Sequence, residues 1–364
     1  MAILRFFLKL LSVALVLFQV GCGLMTQSSP VSKIRPGKDF LPDQTVAIAA
    51  FTNQMAEKHG FDKLALEAVF REVNRSERAL QLITPDPVSK PKNWEAYRER
   101  IIDSSRIKAG VNFWKKHRRE LKKAEKEYGV PAEIIVGIIG VESFYGKTKG
   151  NFRVIDVLTT LSVEYPEHPR REARMAFFRH ELEQALLFAR DAELDPLSLN
   201  GSYAGAIGFP QFMPGCIRQF GVDYDQDEMV DLGESPKDAI GSVANYLKKH
   251  GWVGGEEIVV QARVESVTPE QLKHFLGQGL EAKFSIAELL QDGVQIEEDV
   301  STEQKYGLID LQNGENPTEY WLATENFFAI TKYNRSYFYA MSVVALGNAV
   351  KQARAPRLVR YRRN

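Results

Sequence analysis

Between Gly129 and Gly146 the chain writes an apolar helical stripe and then places an acid on it. Pro131 suits a first turn, where a missing N–H costs nothing, and Glu133 lies early, where a carboxylate favours the helix dipole. Ile135, Ile138 and Ile139 share one face, and Glu142 follows at helical spacing on that same face. A stripe of this kind must be buried against other elements, so the chain needs a helical core. A carboxylate on it is expensive unless it is paired or neutral. Desolvation can raise a glutamate pKa by up to roughly 3–5 units in the fully buried limit. A carboxyl still protonated near neutrality can act as a general acid. The competing explanation is that Glu142, near the helix end, bends out to water or meets an arginine. Periodicity alone favours that plainer explanation.

The rest of the chain surrounds this helix with more helices. Val46, Ala49, Ala50 and Phe51 begin one, and Leu64, Leu66, Val69, Phe70 and Val73 mark another. Thr84-Pro85-Asp86-Pro87 and Lys90-Pro91 interrupt the pattern. One long charged helix is expected from about Ser104 to Tyr128, with Phe113, Trp114 and Leu121 on its apolar side. Its cluster of Lys115, Lys116, Arg118, Arg119, Lys122 and Lys123 is interleaved with acids, and a solvated face is preferred to an anion site. Further helices are expected at 168–192, 236–250 and 336–350. Between them, Ile258, Val260, Ala262 and Val264 alternate as in a half-buried strand. Thr268 and Ser285 look like caps of short helices. Tyr306–Leu311 and Glu319–Ala323 read as strands around Asn313-Gly314.

Composition removes several classes of function. The 364 residues suggest two or three units, and 44% hydrophobic with 26% charged residues is ordinary globular usage. Forty-seven basic side chains balance forty-seven acidic ones, which argues against a nucleic-acid partner. Cys22 and Cys216 are the only cysteines, too few for a disulfide scaffold or a thiolate zinc site. Residues 1–21 have the order of a secretory leader: Arg5 and Lys9, the apolar run Leu10–Phe18, then Gly21 before Cys22. That run is short of the ~20 residues of a spanning helix. Val20-Gly21-Cys22 resembles a bacterial lipoprotein signal, in which Cys22 takes a lipid; Gln19 departs from it. Residues 22–39 then read as a tether. Cys216 is expected to be a small buried hydrophobe. The basic end, with Lys351, Arg354, Arg357, Arg360, Arg362 and Arg363, could meet anionic lipid or wall polymer, although a soluble end is the plainer choice.

Context changes the odds for Glu142. Glu142-Ser143-Phe144-Tyr145-Gly146 resembles the Glu-Ser-x-x-Gly signature of goose-type lysozymes and lytic transglycosylases. The run from Gly201 through Ser202, Gly205, Gly208 and Gln211 to Pro214 resembles their second block, whose glycines let backbone approach a ligand. Tyr97 in Trp94-Glu95-Ala96-Tyr97-Arg98, the run Asp238–Tyr246, and Lys332-Tyr333-Asn334-Arg335-Ser336 with Tyr339 extend the likeness. Over about residues 40–352 the chain resembles the membrane-bound lytic murein transglycosylase B family. Phe209-Pro210 and the Gly-Cys after Pro214 depart from the usual pattern.

The resemblance implies an α+β fold, mostly α. A lysozyme-like helical core would hold 58–144, 201–251 and 324–364. An accessory helical domain would hold 40–57 and 145–200, and a small β-rich insertion 252–323. It implies cleavage of the β-1,4 bond between N-acetylmuramic acid and N-acetylglucosamine in peptidoglycan by one acid. Glu142 would protonate the leaving oxygen. It would then deprotonate the muramoyl 6-hydroxyl, which attacks C1 and leaves a 1,6-anhydro end. Attack from within the substrate has a high effective molarity, so no positioned water is needed. Ordinary glycosidases need a second carboxylate. Glu164, Asp191 and Asp195 are candidates only by elimination. Ser202 and Gln211 would hydrogen-bond substrate; Tyr97, Tyr333, Asn334 and Tyr339 would line the cleft. For the tyrosines, core packing with a satisfied hydroxyl is the alternative.

Asp223, Asp225, Asp227 and the Met229 carbonyl occupy the first, third, fifth and seventh positions of an EF-hand-like loop. Asp238 could close it, with Glu234 as a rival. Glu228 stands where glycine normally makes the turn, and a solvated acidic turn competes with a structural calcium site. No cofactor is expected for catalysis. Expected partners are glycan strands, the outer membrane through lipid on Cys22, and other wall-building or wall-degrading proteins, all in the periplasm. Two other functions are weighed: a muramidase that uses water, and a silent wall-binding lipoprotein.

Overall fold

In the computed structural model the described residues are 39–85 and 91–355. The leader, Cys22, nearly all of the tether and the C-terminal arginines lie outside them. The helix Ala132–Ser143 runs through the centre of the fold. Ile134, Ile135, Val136, Ile138 and Ile139 are all essentially without exposed surface, so it is apolar all round and buried on every side. It packs along the helix Tyr337–Arg354. A side chain at Gly137 would stand 2.3 Å from the Val343 carbonyl oxygen, so glycine sets how closely these two helices cross. Ser336 caps the second helix by accepting from the Tyr339 N–H.

The single long helix expected over 104–128 is two helices, Ser104–Lys116 and Arg118–Tyr128, broken at His117. Its imidazole is buried and packs on Phe113 at 4.7 Å between ring centroids. The break turns Leu121 and Ala124 inward against the helix Pro236–Lys249. The helices Val154–Val163 and Arg171–Asp191 lie against one another, and Pro214–Phe220 packs on the second.

The chain leaves the helical core to build a five-stranded antiparallel sheet. Its order in space is Phe284–Ser285, Lys305–Asn313, Asn316–Ala323, Val259–Arg263 and Gln295–Ile296. Gly314, at φ 62°, turns the central hairpin. Thr268 and Ser285 cap the short helices Pro269–Leu276 and Ile286–Gln291 through capping boxes, as their sequences predict. The strand Lys305–Asn313 is buried on both faces. Tyr306 and Leu308 join Val260, Ala262, Phe275, Leu289 and Leu322 in a separate small core. Ile309 and Leu311, one residue out of phase, enter the main core. The sheet is thereby welded to the helices rather than hung from them.

Candidate active site

Glu142 lies in the last turn of the helix Ala132–Ser143. Phe144 and Tyr145 follow at φ 50° and 57°, ending the helix in left-handed backbone. Ser143, fully buried, ties that end to the glycine-bearing loop. Its hydroxyl donates to the Phe209 carbonyl at 2.7 Å and accepts from the Gly146 N–H at 3.0 Å. The loop closes tightly there, because a side chain at Gly208 (φ 75°) would stand 1.9 Å from the Leu232 carbonyl oxygen.

The Glu142 carboxyl accepts one hydrogen bond in the structure, from the Tyr339 hydroxyl at 2.6 Å. Burial pushes its pKa up to about 7, although the Tyr339 bond pulls the other way. The residue keeps some exposed surface, so the carboxyl is crowded by protein yet open on one side. No cation is among the groups that set its pKa, so it does not bend away to an arginine. The Tyr339 phenol itself is held well above its usual range, first by burial and then by the Glu142 charge. It therefore remains a donor at any working pH.

Of the other expected residues, Tyr333 and Tyr97 are tied to this pair, while Ser202, Gln211 and Asn334 make their contacts elsewhere. Tyr333 stacks on Tyr339, with centroids 6.2 Å apart and planes 20° from parallel. Its hydroxyl donates to the Pro210 carbonyl at 2.5 Å, next to Gln211, which adopts φ 50°. The Gln211 amide nitrogen donates back to the carbonyls of Gly208 and Lys149. The Ser202 hydroxyl accepts from the N–H groups of Ala204 and Ala206, shaping the same loop. Both side chains are thus partly engaged in building the loop that sequence reasoning gave them to serve. Tyr97 is half-buried between Trp94 and Phe338, and the Glu142 charge helps to raise its pKa after burial does. Asn334 is exposed just beyond the helix Glu325–Tyr333.

A cavity of about 660 Å³ opens from this wall, lined by Gln211, Phe212, Met213 and Tyr333 on one side and by Phe177, His180 and Glu181 on another. Sequence reasoning missed the second side. The signal was present in Glu181, which falls among Phe178, Leu182 and Ala185 as Glu142 falls among isoleucines. Its carboxylate accepts the Gly215 N–H at 2.8 Å. Cys216 also lines the cavity and is only partly buried, so it is less enclosed than expected. The three acids considered as partners for Glu142 are engaged elsewhere. Glu164 takes a two-pronged bond from Arg75, Asp191 pairs with Arg218, and Asp195 caps Leu197.

Asp223, Asp225 and Asp227 bring carboxylate oxygens within 4.8 Å of one another. The buried Asp225 Oδ1 has no hydrogen-bond partner, while its Oδ2 faces the Lys237 ammonium at 3.5 Å. Glu228 adopts φ 74°, supplying the turn where glycine is usual. Asp238, expected to close the loop, accepts the N–H groups of Tyr224 and Asp231 at 2.8 and 2.9 Å. It braces the loop's two ends. Met229 is exposed, and Glu234 turns away to Lys149.

A family model described as a transglycosylase SLT domain matches residues 43–348. The chain belongs to that family. The membrane-bound lytic murein transglycosylase B of Escherichia coli K12 is 40% identical over 312 residues, which cover 84% of this chain and 82% of that protein. The soluble lytic transglycosylase SltB1 of Pseudomonas aeruginosa superposes with a TM-score of 0.76 at 44% identity, covering 85% of this chain and 99% of that one. The E. coli lytic transglycosylase Slt35, solved in complex with calcium, gives 0.74 at 40% identity over 84% and 93%. The family's α+β, mostly helical architecture is the one described above. Among the described residues no helix is long and apolar enough to cross a membrane.

Proposed function

We propose that this protein is a peptidoglycan lytic transglycosylase that cuts the MurNAc-β-1,4-GlcNAc bond and leaves a 1,6-anhydromuramoyl end. Its activity class follows from the family; the roles of individual residues are our own assignment. The observation that carries the assignment is the Glu142 carboxyl, held near neutral pKa against Tyr339 beside the glycine loop. Protonated, it delivers its proton to the glycosidic oxygen. Ionised by that step, it takes the proton of the muramoyl 6-hydroxyl as that oxygen closes on C1. One carboxyl serves both steps; the engagement of Glu164, Asp191 and Asp195 with other partners supports this. Tyr97, Ser202, Gln211, Tyr333, Asn334 and Tyr339 are assigned to the substrate cleft. The lysozyme-like core, accessory helical domain and 252–323 insertion are taken as its domains.

Asp223, Asp225 and Asp227 would hold a structural calcium ion, with the Met229 carbonyl completing the set and Asp238 bracing it. The orphaned Asp225 oxygen and the calcium complex of Slt35 support this. The name of the E. coli relative supports a periplasmic lipoprotein attached to the outer membrane through Cys22. Contacts with other wall enzymes are part of the same proposal.

Digestion of purified sacculi tests the function. Anhydromuropeptides should appear, and Glu142→Gln should lower their release at least about a hundredfold, the lower range of general acid–base catalysis, while remaining folded. Reducing ends in their place would make the enzyme a muramidase. Binding without turnover would make it a wall-binding protein.

A further inference from the structure

The loop that Ser143 fastens through the Phe209 carbonyl borders two cavities. Gln211, Phe212 and Met213 line the aromatic one described above. Phe209 lines another, of about 310 Å³, together with Asn112, Lys116, His117, Tyr145 and Lys147. Among the described residues that line it there is no acid. Lys116 comes from the cluster that the sequence presents as a solvated face. After burial, its charge and that of Lys237 lower the His117 pKa, and Glu120 is the acid that works against them. The field around the cavity is therefore positive.

A further cation adjoins this wall. Lys147 lays its ammonium 4.5 Å from the centroid of the Phe144 ring, and the Arg106 guanidinium lies 4.9 Å from the same centroid. The Arg106 charge also acts on Tyr145, which lines the cavity. One Arg106 nitrogen donates to the Ile101 carbonyl at 2.7 Å, but its Nε is buried with no partner. A buried donor left unmade is costly. Asp103, the acid beside Arg106, spends its Oδ1 on the N–H groups of Ser105 and Arg106. Among the described residues Arg106, Lys116 and Lys147 make no ion pair. None of the three is among the groups that set the Glu142 pKa, so they leave the acid its proton.

We propose that this cavity binds carboxylates of the peptide stem carried by the muramoyl residue, and so selects peptide-bearing strands over bare glycan. The inference rests on the transglycosylase reading above. A stem branches sideways from its sugar, so it needs a site off the line of the glycan. Lys147 stands five residues after Glu142, with its N–H bonded back to the Phe144 carbonyl at 3.4 Å. An extended tetrapeptide spans about 13 Å, enough to pass from a muramoyl ring at Glu142 to that ammonium. Ammonium and guanidinium groups make their stronger hydrogen bonds to carboxylates.

Initial rates are measured on glycan strands with their peptides and on the same strands stripped by an amidase. The KM should be lower for the peptide-bearing strands by at least about fivefold. The double substitution Lys116→Glu and Lys147→Glu should erase that difference through KM rather than kcat, with circular dichroism reporting the fold. Lys147→Ala alone should narrow it, which keeps the test open if the double variant does not fold. In a second measurement the free stem tetrapeptide is titrated into Glu142→Gln. It should bind in a salt-sensitive way, and its carboxamide form should not. Equal KM on the two strands, folded variants that keep the difference, or peptide binding that is absent or indifferent to amidation overturns the proposal. Failure to form anhydro ends from either strand counts instead against the transglycosylase reading, and the peptide titration still decides the cavity.

Discussion

A carboxyl that keeps its proton to about pH 7 has consequences for stability as well as for catalysis. The folded state binds that proton more tightly than the unfolded chain, whose glutamate has a pKa near 4.5. Below about pH 4.5 both states are protonated and nothing is lost. Between about pH 4.5 and 7 the unfolded chain gives up the proton while the folded one keeps it, so stability falls by up to roughly 3 kcal/mol across that window and levels off above it. Glu142→Gln keeps the shape and removes the charge. Denaturant titrations should find it more stable than the parent at pH 8 and no more stable at pH 4.5; equal stability at both would show the carboxyl to be solvated. Tyr339 opposes the upward shift by donating to the ionised form. In Tyr339→Phe the Glu142 pKa should rise further. The alkaline limb of kcat/KM should then move to higher pH, with about 1 kcal/mol of stability lost with the hydrogen bond. An unmoved limb would detach Tyr339 from the acid.

The elements hold that carboxyl by meeting end to end. The helix Ala132–Ser143 stops one residue after Glu142, and Ser143 fastens it to the Phe209 carbonyl. Tyr333 fastens the next part of the same loop through Pro210. Gly208 lets the loop close on Leu232. Gly208→Ala would add both a left-handed alanine and a collision with a carbonyl oxygen, and should cost at least about 2 kcal/mol in unfolding free energy, with loss of sacculus digestion. A cost under about 0.5 kcal/mol would show that the loop yields. The element that local pattern misjudged was the charged helix. The helical pattern runs on through His117, yet the helix divides there, with the imidazole buried against Phe113. Burial of one side chain outweighs a propensity summed over many.

At the scale of the molecule, one strand joins two cores. Lys305–Asn313 gives alternate residues to the helical core and to the small core of the insertion, so the two parts should unfold together. With the proposed calcium bound, the acidic loop would add a second, ion-dependent tie. It runs from Asp223 to the cap of the helix Pro236–Lys249, where Asp238 holds Tyr224 and Asp231. Calcium in millimolar excess should raise the melting temperature, since a ligand at a hundred times its Kd adds about 2.7 kcal/mol. Asp225→Ala should abolish the rise. No rise in the parent would leave Lys237 as the loop's resident cation.

The residues alone determined that Glu142 shares a helical face with isoleucines, that a glycine-bearing block follows, and that strands interrupt a helical chain. These are matters of period, and period is local. Whether the acid was paired, solvated or held neutral was open in the sequence, because it depends on what fills the space around one carboxyl. Only the tertiary structure brought Tyr339 to 2.6 Å, left Glu164, Asp191 and Asp195 bound to other partners, and turned Ser202 and Gln211 partly into supports for the loop. A proton's affinity is set by neighbours from distant parts of the chain, and their positions follow from packing rather than from spacing.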